Sequence, residues 1–148
     1  RYGSGVAASI SSYGRGIIAG IYADLGTTYQ RNTSPVIRDL LTRMIEQLFT
    51  GELVKVEGSH HVHVVPGKIG DRLFVHLINT SGEHANPNAS CIEEIPALGN
   101  LKVSVATGEK PKAVVLQPEG RSVGFSFAEG KANFVIPELK IHVAVEIR

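Results

Sequence analysis

The segment "GSHHVHVV" at residues 58–65 places three histidines, His60, His61 and His63, within four positions. Histidine is the commonest side chain for binding a transition metal, and it exchanges protons near neutral pH. In an extended strand His61 and His63 lie on one face, and His60 lies on the other. Two histidines at i and i+2 can share a metal ion if a neighbouring strand adds a third ligand. His76 and His142 are the conceivable donors of that third ligand.

The residues around this segment favour a simpler interpretation. No Cys, Asp or Glu stands at a recognisable ligand spacing from the histidines. We therefore interpret them as solvent-facing side chains of a strand and predict neither a tight metal site nor a cofactor. His61 and His63 are kept as weak metal candidates, and a small metal-dependent hydrolase built on their face is the least favoured alternative.

Paired carboxylates are the second set of residues that could do chemistry, and they occur as Glu83, Glu93 and Glu94. Glycoside hydrolysis needs two carboxyl groups held across a cleft at a defined separation, one of them with a raised pKa. Adjacent glutamates in a polar loop normally point apart into water. We therefore predict that this chain carries no catalytic residue and that it is not an enzyme by itself.

A serine, histidine and aspartate set can also be written down, namely Ser59, His76 and Asp71. No G-x-S-x-G turn accompanies Ser59, and a nucleophilic serine of that kind needs such a turn. Any chain with many serines offers similar sets, so this one predicts no hydrolase.

Composition excludes several other classes of protein. The chain has 148 residues, of which 43% are hydrophobic and 20% charged, which is typical of a globular protein rather than a disordered one. With a net charge of +1 and no basic stripe, it is not predicted to bind nucleic acid or a membrane surface. The single cysteine, Cys91, cannot form an intrachain disulfide, and the sequence does not predict a cellular compartment. The first residues are strand-like, without Met or a leader, which indicates the tail of a longer chain.

The first third of the chain predicts a hairpin followed by one helix. Residues 5–22 contain two apolar runs around "SYGRG", whose glycines suit a tight turn. Residues 23–33 are interpreted as a connector. Apolar residues at spacings of three and four then predict a helix over residues 34–50, with Ser34 as N-cap and Gly51 as C-cap.

From Leu53 onward the hydrophobic period changes to two, which indicates strands. We predict a mainly β fold: an antiparallel β-sandwich of about eight strands preceded by a β-hairpin and one α-helix. The predicted domains are 1–51 and 52–148. Apolar residues alternate with polar ones in four segments: Val54–Val56, Leu101–Val105, Val123–Phe127 and Leu139–Ile147.

One strand departs from this alternation, because residues 72–79, "RLFVHLIN", are apolar on both faces. A strand buried on both sides needs cover on both. We therefore predict a central strand whose second face lies under helix 34–50 or an adjoining domain. The polar stretch Thr80–Leu98 that follows is predicted to be a long loop, and its role stays open.

Longer motifs resemble a known group of proteins. "YGRGIIAGIYADLGTTYQRNTSPVIRDLLTRMIEQL" resembles the closing segment of a class I glutamine-amidotransferase-like domain. "GDRLFVHLINTSG", "EEIP", "VVLQPEG" and "FVIPELKIHVAVEI" resemble the small β-sandwich that ends chains of certain bacterial glycoside hydrolases. Their architecture is related to that of β-galactosidases with a trimerisation domain. In such enzymes the catalytic carboxylates lie on a TIM barrel, which this sequence does not supply, so no family catalytic residue can be placed on it.

The resemblance implies that residues 1–51 are a remnant of the amidotransferase-like domain and that residues 52–148 are the terminal sandwich. The implied function is a non-catalytic accessory and assembly region of a glycoside-hydrolase-like protein involved in carbohydrate metabolism. Its expected partners are the remainder of a longer polypeptide and, in a homo-oligomer, further copies of itself. A carbohydrate-binding sandwich is the alternative, although the chain has no Trp and its four tyrosines all precede the sandwich.

Overall fold

A computed structural model describes residues 5–49, 51–82 and 94–148. The chain divides into two compact units, Arg1–Gly51 (unit 1) and Glu52–Arg148 (unit 2). Within the described residues, none of the helices is long and apolar enough to cross a membrane.

Unit 1 begins with a two-stranded antiparallel hairpin, β1 (Ala8–Tyr13) and β2 (Gly16–Ile21). Gly14 has a φ of 59° at the first central position of the two-residue turn. A type II′ turn requires a positive φ at that position, and glycine adopts it without steric cost. The predicted hairpin therefore forms, with Tyr13 paired to Gly16.

Two helices follow the hairpin, where the sequence predicted one. Helix α1 (Leu25–Asn32) occupies most of the predicted connector. Asp24 starts it, because its Oδ1 accepts a hydrogen bond from the backbone N–H of Thr27 at 3.2 Å. The helix has no buried residue, and its low apolar content explains why periodicity did not reveal it.

Helix α2 (Pro35–Leu48) is the helix predicted from the apolar spacing. Ser34 is its N-cap residue, but its side chain makes no capping hydrogen bond. The helix ends at Phe49 in an extended conformation, so the prediction that Gly51 caps it was wrong. Of the described residues of unit 1, Met44 alone is buried.

Unit 2 consists of two antiparallel sheets, so the prediction of a mainly β fold is confirmed. One sheet has four strands in the order β3-β6-β10-β9, and the other has five in the order β4-β5-β11-β7-β8. The strands are β3 (Val54–Glu57), β4 (Val62–Ile69), β5 (Arg72–Asn79), β6 (Leu98–Ala106), β7 (Val114–Gln117), β8 (Arg121–Val123), β9 (Phe125–Ala128), β10 (Lys131–Leu139) and β11 (His142–Ile147).

The core lies between the facing apolar sides of the two sheets, as alternation predicts for a sandwich. From the five-stranded sheet, Val75, Leu77 and Val145 are fully buried. The four-stranded sheet contributes Leu101, Val105 and other apolar side chains.

Two segments that the sequence presented as single strands are each divided between the sheets. The alternating run Val123–Phe127 breaks at Gly124, with β8 in one sheet and β9 in the other. The run Leu139–Ile147 breaks after Leu139, and Ile141 lies in the connection with 62% of its surface exposed. Period-two alternation continues through these sharp connections, so it does not locate them.

A buried amide closes one end of the sandwich. Asn79 donates hydrogen bonds through Nδ2 to the carbonyl oxygens of Pro96 (2.8 Å) and Lys140 (2.7 Å). Its Oδ1 accepts hydrogen bonds from the backbone N–H and the hydroxyl of Ser81. Each polar group of this buried side chain is thereby satisfied. The side chain thus holds the ends of β5 and β10 to the segment before β6.

Candidate functional site

Three histidines lie on the outer face of the five-stranded sheet, the face turned away from the core. His63 of β4 and His142 of β11 are both paired with Ile78 of β5, one on each side. His76 lies two residues from Ile78 on β5, so its side chain shares that face. The register thus places the three histidines around one apolar side chain.

His76 and His142 form a direct pair. His76 Nδ1 lies 3.0 Å from His142 Nε2, and the ring centroids are 5.2 Å apart with the ring planes inclined by 10°. The distance between the ring centroids exceeds the distance between the two nitrogens, and the difference is about twice the distance from the centre of an imidazole ring to one of its atoms. The rings therefore lie edge to edge, with one ring N–H donating and the other ring nitrogen accepting. At least one ring must be neutral for this bond, since two imidazolium rings present only donors.

The two metal candidates from the sequence lie beside this pair rather than in a ligand set. His61 precedes β4; its carbonyl oxygen accepts from the N–H of Thr80 at 2.8 Å, and its own N–H donates to Ser59 Oγ. His63 lies within β4, and both histidine side chains are exposed. Among the described residues, no group of three or more His, Cys, Asp or Glu is arranged to hold a metal ion. That metal binding is absent stays a prediction, which elemental analysis of protein purified without a polyhistidine tag tests.

A buried carboxylate is the most unusual polar feature on the same outer face. Glu146 of β11 has 1% of its surface exposed. Its Oε1 accepts from Arg72 Nη1 and Arg148 Nε, both at 2.9 Å. Its Oε2 accepts from Arg148 Nη2 and Gln117 Nε2, both at 2.7 Å. Four donors on three neighbouring strands thus compensate the removal of this charge from water.

These contacts stabilise the ionised form of Glu146. The pKa of the carboxyl is lowered from 4.5 to about 2, mainly by the hydrogen bonds from Arg148 and next by that from Gln117, although burial acts in the opposite direction. The hydrogen bonds between Arg148 and Glu146 in turn raise the pKa of Arg148. A carboxyl held in this state is ionised near neutral pH, whereas a general acid for glycosidic cleavage must carry a proton.

Sequence analysis found the alternation of residues 139–147 but did not find this cluster. The alternation of β11 puts Glu146 and Arg148 on one face, which is a readable signal. The other two donors come from β5 and β7, and only the strand order brings these strands to either side of β11. The cluster could therefore be found only from the tertiary structure.

The other acids and the serine set do not converge. Glu83 and Glu93 lie outside the described residues, and Glu94 is exposed. Asp71 lies in the turn between β4 and β5, whereas Ser59 precedes β4 and so lies near the opposite end of the pair. At about 3.3 Å per residue, the strand itself separates Asp71 from His76 by roughly 17 Å. The set Ser59, His76 and Asp71 therefore cannot act together.

The outer face of the four-stranded sheet carries a shallow depression of about 410 Å³. Its floor contains a row of polar side chains, because Ser104 is paired with Lys55 on one side and with Asn133 on the other. Ser126 continues the row on β9. A salt bridge of 3.2 Å joins Lys55 to Glu57 at the rim. Hydroxyl, amide and charged groups thus line an open surface, and Phe134, which also borders the depression, is buried.

Comparison with solved structures finds a similar fold in an enzyme. The fold is similar to that of alpha-L-fucosidase isoenzyme 2 from Paenibacillus thiaminolyticus, with a TM-score of 0.75 and 19% sequence identity. The similarity covers 94% of this chain and 21% of that chain, so the chain spans about a fifth of the enzyme's length. At this identity the likeness shows the fold alone. No protein-family model and no curated protein matched the sequence.

Proposed function

We propose that this chain is a non-catalytic accessory and assembly region of a glycoside-hydrolase-like polypeptide. The observation that carries the proposal is the fold likeness, which spans both units here but only 21% of the length of a fucosidase chain. A sandwich with an adjoining hairpin and helices thus occurs as a minor part of a much larger glycosidase. The sequence resemblance to the terminal sandwich of bacterial glycoside hydrolases supports the same function.

The surface of unit 1 supports a role in packing against further protein. Val36 and Phe49 have 77% and 68% of their surfaces exposed, and Ile45 has 55%. A helix of a folded domain normally buries its apolar stripe, but Met44 is the one buried residue on α2. We propose that unit 1 belongs to a larger domain of the parent polypeptide, the amidotransferase-like domain that its sequence resembles.

The distribution of acids supports a non-catalytic role. Two depressions of unit 2 each contain two carboxylates, Glu119 with Glu138 in one and Asp71 with Glu109 in the other. All four side chains are exposed, and basic residues line both depressions. A general acid for glycoside cleavage needs an environment that keeps its proton near neutral pH, and water and neighbouring cations do not provide it.

An assay of the 148-residue chain against a panel of aryl glycosides tests the proposal. We expect no turnover above that of buffer. The matched variants Glu138→Gln and Glu119→Gln remove one carboxylate each without changing side-chain size, and circular dichroism confirms that they are folded. Turnover by the unmodified chain that either substitution abolishes would contradict a non-catalytic role.

A carbohydrate-binding sandwich is the second candidate, and the polar depression on the four-stranded sheet favours it. Ser104, Asn133 and Ser126 present hydrogen-bonding groups at the strand spacing of about 4.8 Å. Calorimetric titration with neutral and anionic oligosaccharides tests this function. Binding that Asn133→Ala weakens at least tenfold, and that Ser122→Ala on the other sheet leaves unchanged, would support it. Absence of binding to every oligosaccharide at millimolar concentration would exclude it.

A further inference from the structure

Among the residues that the structure describes, no strand pairs with the outer edge of β1 in the two-stranded sheet of unit 1, and the hydrogen-bonding groups of that edge can be assigned. In an antiparallel ladder, residues alternate between pairs that exchange hydrogen bonds and pairs that do not. The N–H of Tyr22 donates to the carbonyl oxygen of Ala7, which places Ala7 in the first class. Ala8, Ile10 and Ser12 therefore belong to the second class. Their N–H and C=O groups point away from β2, toward the open side of β1.

This edge lacks the features that protect the edges of unit 2. Edge strands resist further pairing when they are very short or when they carry charges or proline. In unit 2, edge strand β4 contains Pro66 and Lys68, β3 contains Lys55 and Glu57, and β8 and β9 have three and four residues. Strand β1, "ASISSY", has six residues with neither charge nor proline.

Of the two edges of the hairpin, that of β1 is the more accessible. Helix α2 contacts β2, and the last three residues of β2 are half-buried. In β1 every residue except Ser9 is exposed. Strand β2 also contains Gly16 and Gly20, and glycine weakens a strand because it has no side chain to pack.

We propose that β1 pairs antiparallel with β1 of a second copy of this chain, about a two-fold axis at Ile10. In this register Ile10 is paired with Ile10 of the second copy and Ala8 with Ser12, so each outward N–H and C=O of β1 finds a partner. No like charges oppose each other, because the strand has none. The two hairpins become one four-stranded sheet, and sheets of three or more strands are stable where an isolated hairpin is marginal.

The second copy is favoured because an isologous contact needs a self-complementary surface, and a short uncharged strand satisfies that need. Ile10, with 42% of its surface exposed, would pack beside its own copy on the face that also carries Ile17. A six-residue edge is far smaller than the roughly 800 Å² per partner of a standard stable interface. The dimer is therefore weak and depends on protein concentration. This inference rests on the assembly part of the proposed function and names its partner.

Sedimentation velocity of the 148-residue chain, from roughly 1 μM to 1 mM, tests the inference. The wild type should pass from monomer to dimer across this range. Ile10→Lys should raise the dissociation constant at least tenfold, because the two-fold axis brings two like charges together. Ser12→Pro should act similarly, because it removes an N–H that the hairpin does not use.

Ile17→Lys is the matched control, because it makes the same change at a similarly exposed position on the open edge of β2. Dimerisation should persist in that variant, and circular dichroism should show all variants folded. A monomer at every concentration, or a dimer that Ile17→Lys but not Ile10→Lys disrupts, would overturn the inference. Neither result depends on the glycoside assay, so the inference and the non-catalytic role fail independently.

Discussion

Units 1 and 2 differ in how completely they bury their apolar residues. Unit 2 encloses a continuous core between two sheets, in which Leu77, Leu101 and Ile136 are fully buried. Unit 1 buries Met44 alone among its described residues, and it exposes Ile17 and Ile18 on the hairpin to more than half of their surfaces. A sheet needs a second apolar layer against its inner face, and unit 2 supplies that layer from its own sequence. Unit 1 leaves apolar side chains of both its hairpin and α2 exposed, which is why we assign it a role in contacts with further protein.

The largest effect that would test this contrast is a cavity in the sandwich. Leu77→Ala should lower the free energy of unfolding by about 2–5 kcal/mol, because the side chain is fully buried and its neighbours cannot fill the space. Ile45→Ala on α2, with 55% of the residue exposed, should lower it by less than about 1 kcal/mol. Urea denaturation measures both. Equal losses would show that the two units do not differ in packing.

The next effect concerns the buried carboxylate of unit 2. The pKa of Glu146 is lowered from 4.5 to about 2, so its contribution to stability is complete above about pH 4.5 and is lost as the pH falls toward 2. Glu146→Gln removes this titration. The urea midpoint of the wild type should therefore fall more steeply than that of the variant over this range. Parallel pH profiles for the two proteins would mean that the arginine contacts do not favour the ionised form.

Within unit 1, the packing of α2 is best tested by replacing Met44. Met44→Ala should cost about 2 kcal/mol, the lower end of the range for large-to-small changes, because Met44 is buried although most of α2 is exposed. Hydrogen exchange should show the loss in the amides of α2. The matched change Val36→Ala at an exposed position should alter exchange little. Unchanged protection in Met44→Ala would indicate that α2 is not held through this side chain.

The smallest effect is expected from the histidine pair. His142→Gln removes the ring that lies 3.0 Å from His76 and should cost about 0.5–1.5 kcal/mol at neutral pH, the usual contribution of one hydrogen bond. His63→Gln, at a neighbouring exposed position on β4, is the control. A loss in His63→Gln equal to that in His142→Gln would exclude this account of the pair.

Docking of the helix on the sandwich stays a prediction from the sequence. It rested on the apolar outer face of residues 72–79, which offers a second surface for cover. The outer face of β5 carries Phe74, His76 and Ile78, all half-buried. Leu41→Ala tests this prediction, because docking of the helix should make the substitution cost about 2–5 kcal/mol of the free energy of unfolding.

Much of the fold was readable because local rules decide it. The glycine in the turn after Tyr13 predicted the hairpin, and the apolar spacing after Ser34 predicted α2, since both signals act within a few residues. Helix α1 was not predicted, because none of its residues is buried and the local signal that starts it is the cap at Asp24. The sequence did not predict that the chain passes from one sheet to the other at Gly124 and after Leu139, because alternation is the same in either sheet. Their placement depends on which strands pair.

The sequence by itself determined the mainly β class, the face of each strand that is apolar and the absence of charge from β1, because composition and period are properties of the chain. Tertiary structure alone decided which strands are neighbours. That order brings Arg72 and Gln117 to Glu146, and His76 to His142, across distances along the chain that no local pattern spans. A buried charge is stable only where its donors converge from several strands, so its site follows from the strand order rather than from any one segment.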